Sequence, residues 1–317
     1  MKRRHFAALS AVALAAPAVL AQERTLKLVV GFAPGGSSDQ LTRLIADKLR
    51  VSLGQNVIVE NKPGAAGRIS LGELKRAAPD GQTLVMAASG GLVVAPWLYN
   101  NLPYDPLNDF TPVSRVASFD FAVTAGPSAP QGGIKEVLAG FKLTPDKASY
   151  ASSGAGTLGH FTGVMLSQTA GVPMVHVPYK GGAPAALDLV SGTIPLMVDT
   201  ASETLEQHKA GRVRILAVSG ERRSRILPDV PTLKESGINM TADGYFGLYG
   251  PAGMPAAVVQ RIDLAVADAL KTQEVQDKIY ALGLVPSHLG PAALRALQVD
   301  QYKRWEQPVK ASGFKPD

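Results

Sequence analysis

One pattern recurs along this chain and restricts what it can become. A short run rich in Val, Ile and Leu stops at a loop of small residues, and a segment with helical spacing follows. It occurs at Gly31 to Asp39 (GFAPGGSSD), Ala87 to Gly91 (AASGG), Ser152 to His160 (SSGAGTLGH), Pro178 to Pro184 (PYKGGAP) and Asp199-Thr200-Ala201-Ser202. Strand-then-helix alternation argues for an α/β fold in which largely parallel sheets are covered by helices. In open parallel sheets such junctions gather at the carboxyl ends of the strands, where ligands bind. Each junction also leaves the first N–H groups of a helix without intrahelical partners, at the positive end of its dipole. Glycines let a ligand approach that backbone, so the loops suit a small anion. A Gly-Gly-Ser-Ser-Asp run before a helix also serves as a plain turn and N-cap, and only the recurrence argues for more.

The strands predicted from the apolar runs are Leu28 to Val30, Val57 to Val59, Thr83 to Ala87, Ala122 to Thr124, Ser149 to Ser152, Val175 to Val177, Ile194 to Val198 and Ile215 to Val218. Leu41, Leu44, Ile45, Lys48 and Leu49 have the spacing of an amphipathic helix, and shorter helices are expected from Phe161 and over Ala185 to Val190. A proline-rich middle, Pro103-Tyr104-Asp105-Pro106 and Phe110-Thr111-Pro112, precedes a strand pair around Val113 to Thr124. Tyr245-Phe246-Gly247-Leu248 then resumes the pattern, with helices over Ala256 to Leu282 and Pro291 to Ala311. With 317 residues, 46% of them hydrophobic, two domains are expected. The division read here is residues 22–122 for a first lobe, 123–243 for a second, and 244–317 for a return to the first.

Residues 1–21 read as a secretory signal peptide. Lys2-Arg3-Arg4 is the positive region, Phe6 to Leu20 the apolar stretch, and Val19-Leu20-Ala21 the small-residue cleavage site. The protein is therefore expected in the periplasm, by the general or, through Arg3-Arg4-His5-Phe6, the twin-arginine route. Without Lys2, Arg3 and Arg4 the formal net charge falls from +6 to +3. That balance is wrong for a nucleic-acid footprint, and Arg222-Arg223-Ser224-Arg225 is the one basic cluster. The chain has no cysteine, which excludes disulfides, thiol nucleophiles and cysteine metal sites.

Specific cofactor and catalytic motifs fail one by one. GFAPGGSS lacks the spacing and lysine of a Walker A loop. Gly154-Ala155-Gly156-Thr157-Leu158-Gly159 matches GxGxxG, but the next strand ends in Val175-His176-Val177-Pro178, without the ribose-binding acid. No GxSxG, HExxH or paired-histidine motif is present, so neither a cofactor nor a metal is expected and no catalytic residue is assigned. His160, beside Thr157, and His176, at a strand end, are placed either to donate to a ligand or to bond structurally. An exported hydrolase using Ser37 or Ser152 with His160 as base is the competing enzymatic reading.

At this point the junctions carry a resemblance. VVGFAPGGSSDQLTRLIADKL, VIVENKPGAAGRIS, APDGQTL, SSGAGTLGH, HVPYKGGAPAALDLVSG, PDVPTLKESG and GLYGPAGMP run in order along nearly the whole chain. They resemble the Bug or TctC family of periplasmic solute-binding proteins, the receptors of tripartite tricarboxylate transporters. The resemblance implies a two-lobed, type II periplasmic-binding-protein fold, monomeric and not an enzyme. It would close on a mono-, di- or tricarboxylate and deliver it to the membrane components of such a transporter, or to a sensor protein. It also implies that backbone N–H groups, small hydroxyls and waters hold the ligand's carboxylate. Carried onto this chain, the positions are Phe32, Ala33, Gly35, Gly36, Ser37, Ser38 and Asp39 in one lobe and Tyr179, Lys180, Gly181 and Gly182 in the other. Ser89, Ser152, Thr157, His160 and Asp199 occupy the remaining junctions. Helix capping competes with ligand contact at Asp39, and a solvated rim position competes with it at Lys180. Phe32, Trp97, Tyr179, Tyr245 and Phe246 are the candidate aromatic walls. The family's NRPGAGGNIG is NKPGAAGRIS here, with Ala66 and Arg68 as departures. Arg68 is open to two placements, one pairing with a second carboxylate and one on the surface.

Overall fold

Two sheets share one strand. The computed structural model describes residues 25–315, so the signal peptide expected over residues 1–21 lies outside the described residues. Among the described residues the strands are β1 (Leu26–Val30), β2 (Val57–Asn61), β3 (Thr83–Ala88), β4 (Phe110–Ala125), β5 (Ser149–Ser152), β6 (Val175–Pro178), β7 (Leu196–Thr200), β8 (Arg214–Val218), β9 (Asp243–Pro251) and β10 (Val285–Leu289). The first lobe's helices begin with α1 (Ser37–Leu53), α2 (Arg68–Lys75), α3 (Gly90–Val93) and α4 (Ala95–Leu98). The second lobe holds α5 (Ile134–Leu143), α6 (Leu158–Ala170), α7 (Gly182–Ser191) and α8 (Leu205–Lys209). The chain ends in α9 (Ala256–Lys271), α10 (Gln273–Ala281) and α11 (Pro291–Ala311).

In the first lobe β1 lies between β2 and β3, parallel to both, and β3 meets β9 antiparallel. β9 pairs with Phe110 to Asp120 of β4, and β10 joins the other edge of β4. Beyond Asp120 the same strand changes partners, and its last residues pair with β7 and β8 of the second lobe. β7 continues through parallel pairs to β5 and β6. At about 3.3 Å per residue, 16 residues of β4 span roughly 50 Å, enough to belong to two sheets. Both sheets are mixed, the parallel pairs holding the junction loops and the antiparallel ones lying along the shared strand or, for β3 with β9, next to it.

The elements follow from local chemistry. Leu41, Ile45, Leu49 and Leu53 recur every fourth residue on α1 and are buried, and Gly54 ends the helix at φ +62. The expected strand pair around Val113 to Thr124 is instead one continuous strand. Register shifts beside Pro112 and Arg115 bend it without breaking it, which keeps its polar residues paired. The helix expected over Ala256 to Leu282 divides at Thr272, which is extended (φ −76, ψ 134) and bonds its hydroxyl to Ala269 O at 2.8 Å. β10 carries no strand signal, because Pro286, Ser287 and His288 interrupt its apolar pattern.

The chain passes between the lobes a second time just before β9, and Ser219 pins that passage to β4. Its hydroxyl donates to Ala242 O (2.6 Å) and accepts from Phe121 N (2.8 Å), and its own N–H donates to Phe121 O (2.8 Å). Ser219 is fully buried. Removing its hydroxyl leaves a buried N–H and a buried carbonyl unpaired, at about 1–3 kcal/mol per orphaned group. Ser219→Ala is expected to lower stability by about that amount in urea denaturation with an unchanged slope; a loss under about 0.5 kcal/mol would contradict the bracing role.

Candidate functional site

The junction loops of the two lobes face one another across a cleft, and the lobes touch. Ala33 N donates to Lys180 O at 3.2 Å, joining the first junction of one lobe to PYKGG of the other. A Cβ on Gly181, which sits at φ +137, would lie 3.1 Å from Ala33 N. A Cβ on Gly90 would lie 3.1 Å from Leu158 N, so the approach is close at that point too. The backbone is small where the lobes meet because a side chain there would hold them apart.

The inner compartment between the lobes is a small cavity of about 40 Å³. Its apolar walls are Phe32, Phe119, Phe121, Leu158 and Phe246. Phe119 packs on Phe121 with ring centroids 5.4 Å apart and on Phe246 at 4.7 Å. Its polar side is built from the starts of α1 and α6 and from the turn after β7. That lining includes two carboxylates, Asp199 and Glu203, and no Lys, Arg or His.

Both carboxylates are engaged by backbone. Asp199 accepts from Ser153 N (2.7 Å) and Thr200 N (2.8 Å), which fixes the Ser153-Gly154 loop. Burial raises its pKa above the ordinary carboxylate range. Glu203 reaches across to the first lobe. Its Oε1 accepts from Ser37 N at 2.8 Å and from Ser37 Oγ at 2.6 Å. The N-terminus of α1 thus already holds a carboxylate, and the protein supplies it. Burial and then the neighbouring charge of Asp199 raise the pKa of Glu203 to about 7.

A second, larger compartment of about 250 Å³ adjoins the first through Phe32, Ala66 and Ser153. Its charged lining is of the other sign, Arg68 and Lys180. The Arg68 guanidinium lies 3.5 Å from the centroid of the Tyr99 ring. Its Nη1 is buried and has no hydrogen-bond partner among the described residues. Of the two placements open to Arg68, the structure has the one facing the cleft.

The sequence-derived residues divide by position. Phe32, Gly36, Ser37, Ser38, Thr157, Gly182 and Asp199 line the inner compartment, and Tyr179 and Lys180 line the outer one with Phe32. Ala33, Gly35 and Gly181 support the meeting of the lobes. Asp39 accepts from Gly35 N (2.9 Å), Asn61 Nδ2 (2.9 Å) and Arg43, so it braces the glycine loop from behind. Ser89 bonds twice to the backbone of Tyr245, and the Tyr179 hydroxyl donates to Asp188 Oδ2 at 2.7 Å. Trp97 packs on Tyr302 and Tyr245 bonds to Tyr249, away from the cleft. Glu203, Phe119 and Phe121 line the inner compartment without having been singled out, and Thr200 and Ser153, named only as members of junction loops, line it too. Phe119 and Phe121 could have been found, since alternate residues of a strand share a face.

Ser152 and His160 do not form a pair. Ser152 Oγ lies 2.7 Å from His176 Nε2, and Ser152 is fully buried behind the loop. His160 Nδ1 accepts from Gly156 N at 3.2 Å, and its ring stacks on His176 with centroids 4.0 Å apart. Phe314, from the end of the chain, covers His160 at 4.5 Å. Ser152 is therefore not paired with His160 as nucleophile and base, and His160 borders a separate pocket with His176 and Phe314. Burial lowers the pKa of His160 to about 4, and burial with the neighbouring His160 lowers that of His176 to about 3.

The family described as tripartite tricarboxylate transporter family receptor, TctC, matches residues 41–314. The solved periplasmic binding protein BugD is 34% identical, with a TM-score of 0.89 over 93% of this chain and 99% of its own. MatC from Rhodopseudomonas palustris, with bound malate, is 30% identical, with a TM-score of 0.86 over 90% of this chain and 99% of its own. Rpa4515 from R. palustris, with adipate, is 29% identical, with a TM-score of 0.90 over 93% of this chain and 99% of its own.

The histidine stack has a consequence for stability. An unfolded histidine takes up its proton near pH 6.5, whereas these two stay neutral until about 4 and about 3. The unfolded chain therefore binds more protons in that window, and stability falls as pH drops from about 6.5 toward 4. The raised carboxylates Asp199 and Glu203 act in the opposite sense, so the clean measurement is a difference. His176→Gln is expected to flatten the fall in urea-denaturation free energy between pH 7 and 5 relative to the parent protein; parallel curves would refute the assignment.

Proposed function

The chain belongs to the tripartite tricarboxylate transporter receptor family, TctC, and from that membership and the geometry of the cleft we infer that it captures a small carboxylate-bearing solute between its lobes and passes it to a membrane transporter. The observation that carries this reading is the pair of helix starts, α1 from one lobe and α6 from the other, bordering one small compartment. The protein's own Glu203 carboxylate sits on the first of them, which supports an anion as the group that such a helix start suits. Thr157, Leu158 and Gly159 bring the start of α6 to the same compartment as the position for a solute carboxylate. Charge-assisted hydrogen bonds of this kind contribute about 1.5–3 kcal/mol each, so a few of them and closure reach micromolar affinity, about −8 kcal/mol.

Closure follows as a hinge motion of the lobes, residues 22–122 with 244–317 against 123–243, about the passages at Asp120 and Ala242. The solute favours the closed form only through contacts it makes with both lobes. In this reading the protein works in the periplasm as a monomer, after export by its leader, and its partners are the membrane components of the transporter.

Thermal unfolding of protein refolded to remove co-purified solute, against mono-, di- and tricarboxylates with NAD as control, tests the reading. Ligand at 100 times its Kd stabilises by about 2.7 kcal/mol, a shift of several degrees. A shift with one class of acid is expected; none with any acid would overturn the carboxylate assignment. Gly181→Ala obstructs closure, and we expect it to weaken binding of the effective acid at least tenfold, about 1.4 kcal/mol. Unchanged affinity would remove closure at this loop from the mechanism.

A further inference from the structure

The start of α1 is the obvious place for a solute carboxylate, and it is taken. Glu203 comes from the short turn after β7 and reaches Ser37 across the cleft at 2.8 and 2.6 Å. The surroundings are shaped to this side chain. A Cβ on Gly182 would fall 2.2 Å from Glu203 Cδ, and a Cβ on Gly36 would fall 3.3 Å from Glu203 Oε2. Two glycines of the junction loops therefore make room for a carboxylate that belongs to the protein. We propose that Glu203 is a specificity-determining residue that stands in for a ligand carboxylate at the start of α1, so that the solute presents a hydrogen-bond donor to this end of the cleft and not a second carboxylate.

Three observations push in one direction. First, the N–H and hydroxyl of Ser37 are both spent on Oε1 of Glu203, so a solute anion arriving there would find its donors occupied. Second, the compartment contains Asp199 as well as Glu203 and no basic side chain in its lining, so a second solute carboxylate, beyond the one at the start of α6, would lie against an acidic side chain with no cation beside it. Repulsion of that kind is how a site rejects a close analogue. Third, Oε2 of Glu203 is not used by Ser37, and it is the oxygen that an ammonium, amide or hydroxyl of the solute would meet. The inference rests on the carboxylate-receptor reading for the solute's other end and narrows it to acids that carry a donor group.

Two measurements test it. The amide resonances of Ser37 and Ser38 are followed by NMR while acetate is added to the parent protein, to Glu203→Ser and to Glu203→Gln. Acetate should shift them in Glu203→Ser, where the helix start is vacated, and leave them in place in the parent and in Glu203→Gln, whose amide oxygen still fills the position. Equal shifts in parent and Glu203→Ser, or none in either, overturn the proposal. The second measurement compares succinate with 4-aminobutyrate, four-carbon probes that differ at one end. The affinity ratio should move at least tenfold toward succinate in Glu203→Ser, and Glu203→Gln should lose any preference for the amine without gaining the diacid. A ratio unchanged by Glu203→Ser overturns the proposal. Because acetate binding at Ser37 does not depend on the physiological solute, the first measurement stands even if no acid stabilises the parent protein and the receptor reading fails.

Discussion

The architecture depends on β4 changing partners near Asp120. A strand in one sheet needs hydrogen-bonding neighbours along its edges, and β4 finds β9 and β10 for its first part and β7 and β8 for its last. Both lobes are built outward from this strand, and so the carboxyl ends of their parallel strands, with the small-residue loops, come to face one another. Ser219 closes the other passage onto the same stretch of β4. Asp120 lies at the change of partners, and burial with the charge of Asp243 raises its pKa to about 6. Asp120 is half-buried there and closely packed by the second passage; a Cβ on Gly220 would lie 2.3 Å from its Oδ2.

The loops gathered in this way create an electrostatic problem that the chain solves internally. Helix starts aimed into one compartment concentrate unpaired N–H groups where water is scarce. Asp199 satisfies Ser153 and Thr200, Asp39 satisfies Gly35, and Glu203 satisfies Ser37 from the opposite lobe. The inner compartment is consequently acidic and aromatic, whereas the adjoining one is basic. In the proposed reading this separation of charge along one cleft orients the solute, and its acidic half comes from side chains that also hold the loops in shape.

Much of this was legible in the sequence, for a physical reason. Apolar runs ending in glycine and serine clusters are local signals, and they located the strands, the starts of α1, α6 and α7, and cleft residues such as Ser37, Thr157 and Asp199. What escaped was long-range. Glu203 lies in an ordinary-looking ASETLEQHK segment, and its role exists only because Ser37, 166 residues earlier, meets it when the lobes close. His160 looked available inside a glycine loop, and it is covered by Phe314 from the far end of the chain. The shared strand was hidden by the same limit, since periodicity shows that Phe110 to Ala125 is extended but not that its partners change midway.

The contacts between the lobes also bear on what a solute has to contribute. Ala33 with Lys180 and Ser37 with Glu203 are bonds made only when the lobes are together. They offset part of the cost of bringing the lobes together before any solute is counted. A solute can shift the balance between open and closed forms only by its differential contacts, and the Ser37 donors are already common to the closed form with or without it. In the proposed reading, the discriminating contacts are therefore left to the α6 start, the phenylalanine walls, Asp199 and Oε2 of Glu203. Selectivity in this cleft follows from what the protein has already filled as much as from what it leaves open.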